Sequence, residues 1–257
     1  MRFASLGSGS AGNALVVEAG STRVLLDCGL GLRETAARLA RLGLEASQLD
    51  GVVVTHEHDD HAGGVARLAA RHELPVYLTY GTQRALEASL PAGLDLRLID
   101  SHRRFAVGEL WLEPFPVPHD AREPVQFVFS DGAARLGVLT DVGAATPHIR
   151  DRLTRCHGLV LECNHDRAML ESGPYPPSLK RRVGGAYGHL ANDAAAEILA
   201  SLDNSLLRHV VAAHLSQKNN TPELARGALA AALNCAPDWI GVADQDTGFG
   251  WLSLDSG

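Results

Sequence analysis

An α/β fold, with helices covering the outer faces of its sheets, is the class that this sequence of 257 residues predicts. Apolar runs of strand length alternate with amphipathic helical stretches from one end to the other. No linker, low-complexity stretch or block of charge interrupts the alternation, so residues 1–257 read as a single domain. A faint internal similarity is the third observation. VLLDCG at residues 24–29 precedes VVVTHEHDDH at 52–61, and GVLTDVG at 137–143 precedes HVVAAHL at 209–215. Each half thus has a strand ending in Asp-x-Gly and a later strand ending in His. Taken alone, a chance match between apolar strands explains this as well.

In chain order, residues 14–19 and 23–26 are the first strands. A helix over 32–42 follows, where Leu32, Ala36, Leu39 and Leu42 share a face. A strand at 51–55 leads through Gly63-Gly64, which let the backbone turn tightly, into a helix over 63–71. A strand at 76–79 leads to a helix over 82–89. Strands at 110–117, 125–130, 136–140 and 158–162 come next, rich in Val and Leu and bounded by Gly, Asp and Pro. The last part has a helix over 192–201 with Asn192 as N-cap, a strand at 209–213, and a helix over 222–233. Thr221 caps that helix, and Pro222 stands at its first position, where a missing N–H does no harm.

Hydrophobic residues make up 46% and charged residues 21% of the chain, which excludes a disordered protein. The net charge of −7 argues against wrapping nucleic acid by bulk charge, without excluding a local basic site. Only two of the 23 basic residues are lysines, Lys180 and Lys218. The four cysteines, Cys28, Cys156, Cys163 and Cys235, form no C-x-x-C pair and read as reduced, buried thiols of a cytoplasmic protein. No secretion signal stands at the start, and no apolar run approaches the ~20 residues that span a bilayer, so no membrane is expected as partner. The 12 histidines remain to be explained.

Thr55-His56-Glu57-His58-Asp59-Asp60-His61 follows directly on an apolar strand. Three imidazoles and a group of carboxylates at one strand end suit a cation such as Zn²⁺, Mn²⁺ or Fe. A polar loop with incidental histidines is the weaker reading.

H-x-H-x-D-H after a buried strand resembles the signature of the metallo-β-lactamase-fold hydrolases. Further landmarks of that family appear in order: Asp27, His119 in Pro118-His119-Asp120, Asp141 in Thr140-Asp141-Val142-Gly143, and His214 in Ala213-His214-Leu215-Ser216. The resemblance implies an αββα sandwich of two mixed β-sheets flanked by helices, with metals at the seam between pseudo-twofold halves. It implies that His56, His58 and His119 bind one divalent ion and that Asp60, His61 and His214 bind a second, with Asp141 bridging. Asp27 would orient a ligand histidine as a hydrogen-bond acceptor, and Asp59 would face solvent or nearby backbone. Two such ions would provide a metal-bound hydroxide for hydrolysis, with Asp60 positioning the water or taking its proton.

The stretches Glu162-Cys163-Asn164-His165-Asp166, Tyr175-Pro176 with Leu179-Lys180-Arg181-Arg182, Gly188-His189-Leu190-Ala191-Asn192 and His214-Leu215-Ser216 with Asn219-Asn220 are similar to the YycJ/WalJ-type branch. So is Leu6-Gly7-Ser8-Gly9-Ser10-Ala11-Gly12-Asn13. That resemblance implies an exonuclease with DNA as substrate. Ala191 departs from the branch, which usually has Ser there. Lys180, Arg181, Arg182, Lys218 and Asn219 are candidate substrate contacts, since a phosphodiester needs cations near the metals. His189 and His165 are candidates to protonate the leaving oxygen, with backbone-bonded structural histidines as the alternative. The Gly/Ser loop either brings backbone N–H groups to the metals or a phosphate, or is a plain turn between strands. A small-molecule hydrolase (lactonase, thioesterase or cyclic phosphodiesterase) is the competing function, and a non-catalytic metal-binding protein the third. A complete ligand set weighs against the last.

Overall fold

The period-two alternation of side chains along strands decides how this molecule is layered. In the computed structural model, which describes residues 1–255, two seven-stranded sheets face each other. The first contains β1 (Arg2–Gly7), β2 (Ala14–Ala19), β3 (Thr22–Leu26), β4 (Gly51–Val53), β5 (Val76–Thr79) and β6 (Leu96–Ile99). The second contains β7 (Phe105–Val107), β8 (Leu110–Pro116), β9 (Val125–Ser130), β10 (Arg135–Leu139), β11 (Gly158–Glu162), β12 (His209–Ala213) and β13 (Gly241–Val242). A last strand, β14 (Phe249–Ser253), returns to the first sheet beside β1.

Val17, Val24, Phe127, Phe129, Leu136 and Val138 point into one buried layer between the sheets. The intervening residues point outwards. Val16, Leu25, Val52 and Val76 pack with Leu39 of α1 (Leu32–Arg41) and Leu68 of α3 (Val65–His72). Val128, Leu159, Leu161 and Val210 pack with Ile149, Ile198 and Leu229 of α5 (Pro147–Leu153), α8 (Asn192–Ser201) and α9 (Pro222–Leu233). The result is the αββα sandwich that the sequence led us to expect. Shorter helices lie in the connections: α2 (Asp59–Ala62), α4 (Tyr80–Leu86), α6 (Arg167–Ser172) and α7 (Pro177–Val183). Among the described residues no helix is long and apolar enough to cross a membrane.

Both sheets are built alike. Antiparallel pairing runs up to β3 in one and to β10 in the other, and pairing is parallel from there to β6 and β13. Asp27 after β3 and Asp141 after β10 are therefore equivalent, as the repeated Asp-x-Gly suggested. The second half of the repeat is corrected: the counterpart of β4 is β11, whereas the strand that precedes His214 corresponds to β5.

The strands at 14–19, 76–79, 125–130, 158–162 and 209–213 and the helices at 192–201 and 222–233 match their expected bounds. Other elements differ. The strand at 51–55 ends at Val53, and the helix over 82–89 starts two residues earlier, capped by the Thr79 hydroxyl. Asn192 is not the N-cap of α8; Ala191 is, and the Asn192 amide pairs with Asn220 instead. β6, β7 and β13 escaped notice because they are two to four residues long and partly exposed, and β1 and β14 were missed as well, their runs RFASLG and FGWLS lacking a Val/Leu-rich pattern. Cys28, Cys156 and Cys163 are buried free thiols as expected, but Cys235 is partly exposed.

Candidate metal centre

The C-terminal ends of the parallel strands converge on the seam between the sheets. There the chain leaves β3 at Asp27, β10 at Asp141 and β12 at His214, each with a left-handed backbone (φ 60°, 53° and 55°). The glycines of the two Asp-x-Gly repeats allow neighbouring loops to close in. A Cβ on Gly29 would stand 1.9 Å from the Asp60 carbonyl oxygen, and one on Gly143 2.3 Å from the Ala186 backbone.

All seven expected ligands come together. His56 Nε2 lies 3.1 Å from His58 Nδ1, and His119 Nε2 lies 3.3 Å from that same atom. Donors around a tetrahedral ion at about 2.0–2.1 Å stand roughly 3.3 Å apart, so this spacing fits one cation. On the other side, His214 Nε2 and His61 Nε2 lie 3.4 and 3.6 Å from Asp60 Oδ2. Asp141 stands between the groups, with Oδ2 3.0 Å from His61 Nε2 and Oδ1 3.9 Å from His119 Nε2. Its Oδ2 is buried without a hydrogen bond, as an oxygen reserved for a cation would be.

Hydrogen bonds also fix how the rings present their nitrogens. His61 Nδ1 donates to Asp27 Oδ2 at 2.8 Å, as the role given to Asp27 requires. His56 Nδ1 donates to Thr55 Oγ1, which donates in turn to Asp27 Oδ2. His119 Nδ1 donates to the Gly188 carbonyl, and His214 Nδ1 to Glu162 Oε1 at 3.2 Å. In the neutral form of each ring the second nitrogen would turn a lone pair toward the cluster, the state in which imidazole binds a metal. The residues present fit two divalent ions.

Electrostatics agree. Burial disfavours the charge on Asp141, but His214 and His61 outweigh it and hold the carboxyl well below its usual range. Burial would likewise lower His214, yet Asp141, Asp60 and Glu162 raise it to about 10. His56 lies well below its ordinary value through burial and the neighbouring rings.

Glu162, to which the sequence assigned no role, is completely buried at the end of β11. Its Oε1 accepts from His189 Nδ1 (2.8 Å) and His214 Nδ1, and its Oε2 from the backbone N–H groups of Val142 and Leu190. Burial opposes its charge, but His189 and His214 bring it down to about 2. The one charged residue closing an otherwise apolar strand was the available signal. Asn13 is a second such residue: Nδ2 donates to the Asp60 carbonyl and lies 3.0 Å from His61 Nε2. The Gly/Ser loop supports the site through this amide and through Ser8 Oγ, which accepts from the His214 N–H.

A cavity of about 340 Å³ opens beside the cluster, lined among others by Asp60, Asp141, Tyr175, Arg182, His189 and His214. Arg182 donates from Nε to Asp120 Oδ2 at 2.6 Å. The remaining candidates fare differently. His165 is buried and does not line the cavity, and burial depresses its pKa to about 4. Lys180 bonds the Glu171 carbonyl, and neither it nor Arg181 lines the cavity. Lys218 is set back from the wall, its ammonium 5.7 Å from the Tyr175 ring centre. Asn219 is fully buried and holds Ser216 Oγ, so it shapes a loop and does not face the cavity.

Known proteins resemble this chain in sequence and fold. A family described as the beta-lactamase superfamily domain matches residues 22–215. Exodeoxyribonuclease YycJ of Bacillus anthracis is 35% identical over 237 residues, covering 91% of this chain and 89% of that protein. Exodeoxyribonuclease WalJ of Streptococcus pneumoniae is 30% identical over 245 residues, covering 94% and 91%. Among solved structures, zinc-bound PqqB from Methylobacterium extorquens superposes with a TM-score of 0.76 at 16% identity, over 98% of this chain and all of that one. With its sandwich, its seam of histidines and aspartates and these relatives, the chain belongs to the metallo-β-lactamase-fold hydrolases of the beta-lactamase superfamily, on the YycJ/WalJ-type branch.

Proposed function

We propose that this hydrolase is an exonuclease that removes nucleotides from DNA with two divalent ions, zinc, manganese or iron, at the seam. His56, His58 and His119 would hold one ion, Asp60, His61 and His214 the other, and Asp141 would lie between them. Ions held there lower the pKa of water and offset charge on a phosphodiester.

The observation that carries the phosphodiester reading is the Glu162–His189 pair beside the cluster. A nucleoside alkoxide is a poor leaving group and needs a proton, whereas a thiolate does not. Burial would lower the pKa of His189, but Glu162 outweighs it and raises the ring's proton affinity. His189 lines the cavity with Nδ1 tied to Glu162, so Nε2 is the nitrogen that delivers the proton. Asp60, on the same wall, orients the attacking water. Arg182 supplies the cation for the phosphate, and the names of the two relatives support DNA as its source.

End-labelled single- and double-stranded DNA incubated with the protein and Mn²⁺ or Zn²⁺ tests this. Stepwise shortening from an end is expected. Intact DNA alongside turnover of a lactone or thioester overturns it.

A further inference from the structure

We infer that Tyr187 and Tyr175, with Arg182 and Lys218, form a stacking clamp for the bases of a single-stranded DNA end. The inference rests on the exonuclease reading and deepens it. The cavity, about 340 Å³, lies near the lower end of the range for small-ligand sites, roughly 300–1,000 Å³. A nucleotide fits such a space and a duplex does not, so neighbouring nucleotides lie across its rim. With a net charge of −7 the surface offers little general attraction for phosphates. Strand-end affinity then needs another source, and stacking on aromatic rings supplies it for any base.

Tyr187 is 64% exposed, among the most exposed large hydrophobic side chains of the described residues. Its loop is nevertheless fixed. The Tyr187 carbonyl accepts from the Asp120 N–H, Gly143 packs against its backbone, and the His189 N–H is held by the Val183 carbonyl. The next two residues, Gly188 and His189, line the cavity. A bulky ring is thus presented to solvent by a rigid loop at the edge of the reaction site. Tyr175 lines the cavity itself, and Lys218 places an ammonium 5.7 Å from its ring centre. Arg182 is anchored through Nε on Asp120. Rings for the bases and cations for the phosphates thus stand at or beside one cavity, the combination that single-strand binding uses.

The test compares a short fluorescent thymidine oligonucleotide with an abasic one of equal length. Binding is followed by anisotropy with phosphorothioate linkages to slow cleavage, and cleavage is followed with the unmodified strands. The metal-loaded protein should prefer the base-bearing strand by about 5- to 150-fold for each stacked base. Tyr187→Ala or Tyr175→Ala should cut that preference by a similar factor, and Tyr187→Trp should restore it. Trp239→Ala, which alters an exposed ring preceding β13 at the far end of that strand from the site, should leave the preference unchanged. Equal binding of both strands, or a preference untouched in both alanine variants, overturns the clamp. Binding with base preference but no cleavage supports the clamp and overturns the exonuclease reading; cleavage without preference does the reverse.

Discussion

Glu162 serves two histidines with one oxygen and two backbone N–H groups with the other. An amide has only one acceptor oxygen, so Glu162→Gln sacrifices one of these pairs. We expect kcat and bound metal to fall roughly 10–100-fold, read by rate assay and elemental analysis. His189→Asn should lower kcat on DNA by about 10²–10⁴ and affect a p-nitrophenyl phosphodiester far less, since nitrophenolate leaves without a proton. The same substitution at His165 should change either rate only slightly. Residues 55–61 were legible because their chemistry is contiguous, and the expected ligands indeed converge. Glu162 and Asn13 were not, because their meaning comes from partners 20–52 and 47–48 residues away. His165 and Asn219 misled for a related reason: sequence places them near the site but says nothing of which way they face.

At the scale of elements, α8 begins at an N-cap without a side-chain bond, Ala191. Serine there would accept from a first-turn N–H, so Ala191→Ser should stabilise the fold by about 0.5–1 kcal/mol in denaturant titrations. Gly29→Ala should do the opposite. Its Cβ would meet the Asp60 backbone, and the segment that carries His56, His58, Asp60 and His61 would have to move. A loss of about 2–4 kcal/mol, with reduced metal content, is the expected outcome. Buried strands with continuous Val/Leu runs were read almost residue for residue, since such runs admit few other interpretations, whereas β1, equally buried but with the sequence RFASLG, was missed. Edge strands were not, because short, half-exposed segments such as Leu96–Ile99 lack that pattern.

For the whole molecule, ions bound at the seam would tie the two halves together. Ions present at 100 times their dissociation constant would add about 2.7 kcal/mol per site, so chelation that empties both sites should lower Tm by about 10–20 °C. Acid should act the same way. Without ions, Asp141 and its neighbours outweigh burial and raise His61 and His214, the latter to about 10. A proton held more tightly on either ring must leave before that ring becomes a ligand. Metal affinity should weaken as pH falls from about 8 to 6, about tenfold per unit for each proton displaced. A chromogenic chelator in competition would measure this, and an affinity independent of pH would remove these rings from the ligand set.

Asp27, Asp141 and His214 share one more property, the left-handed backbone in which a side chain is unwelcome. Glycine would relieve each position, yet no glycine can orient a ring or hold a cation. Relaxed selection therefore has a direction here. Lineages grown without any need for the hydrolase and without metal to stabilise its seam, but under pressure to stay folded in heat, should mutate these three positions to glycine or asparagine early, while Phe127 and Phe129 between the sheets remain.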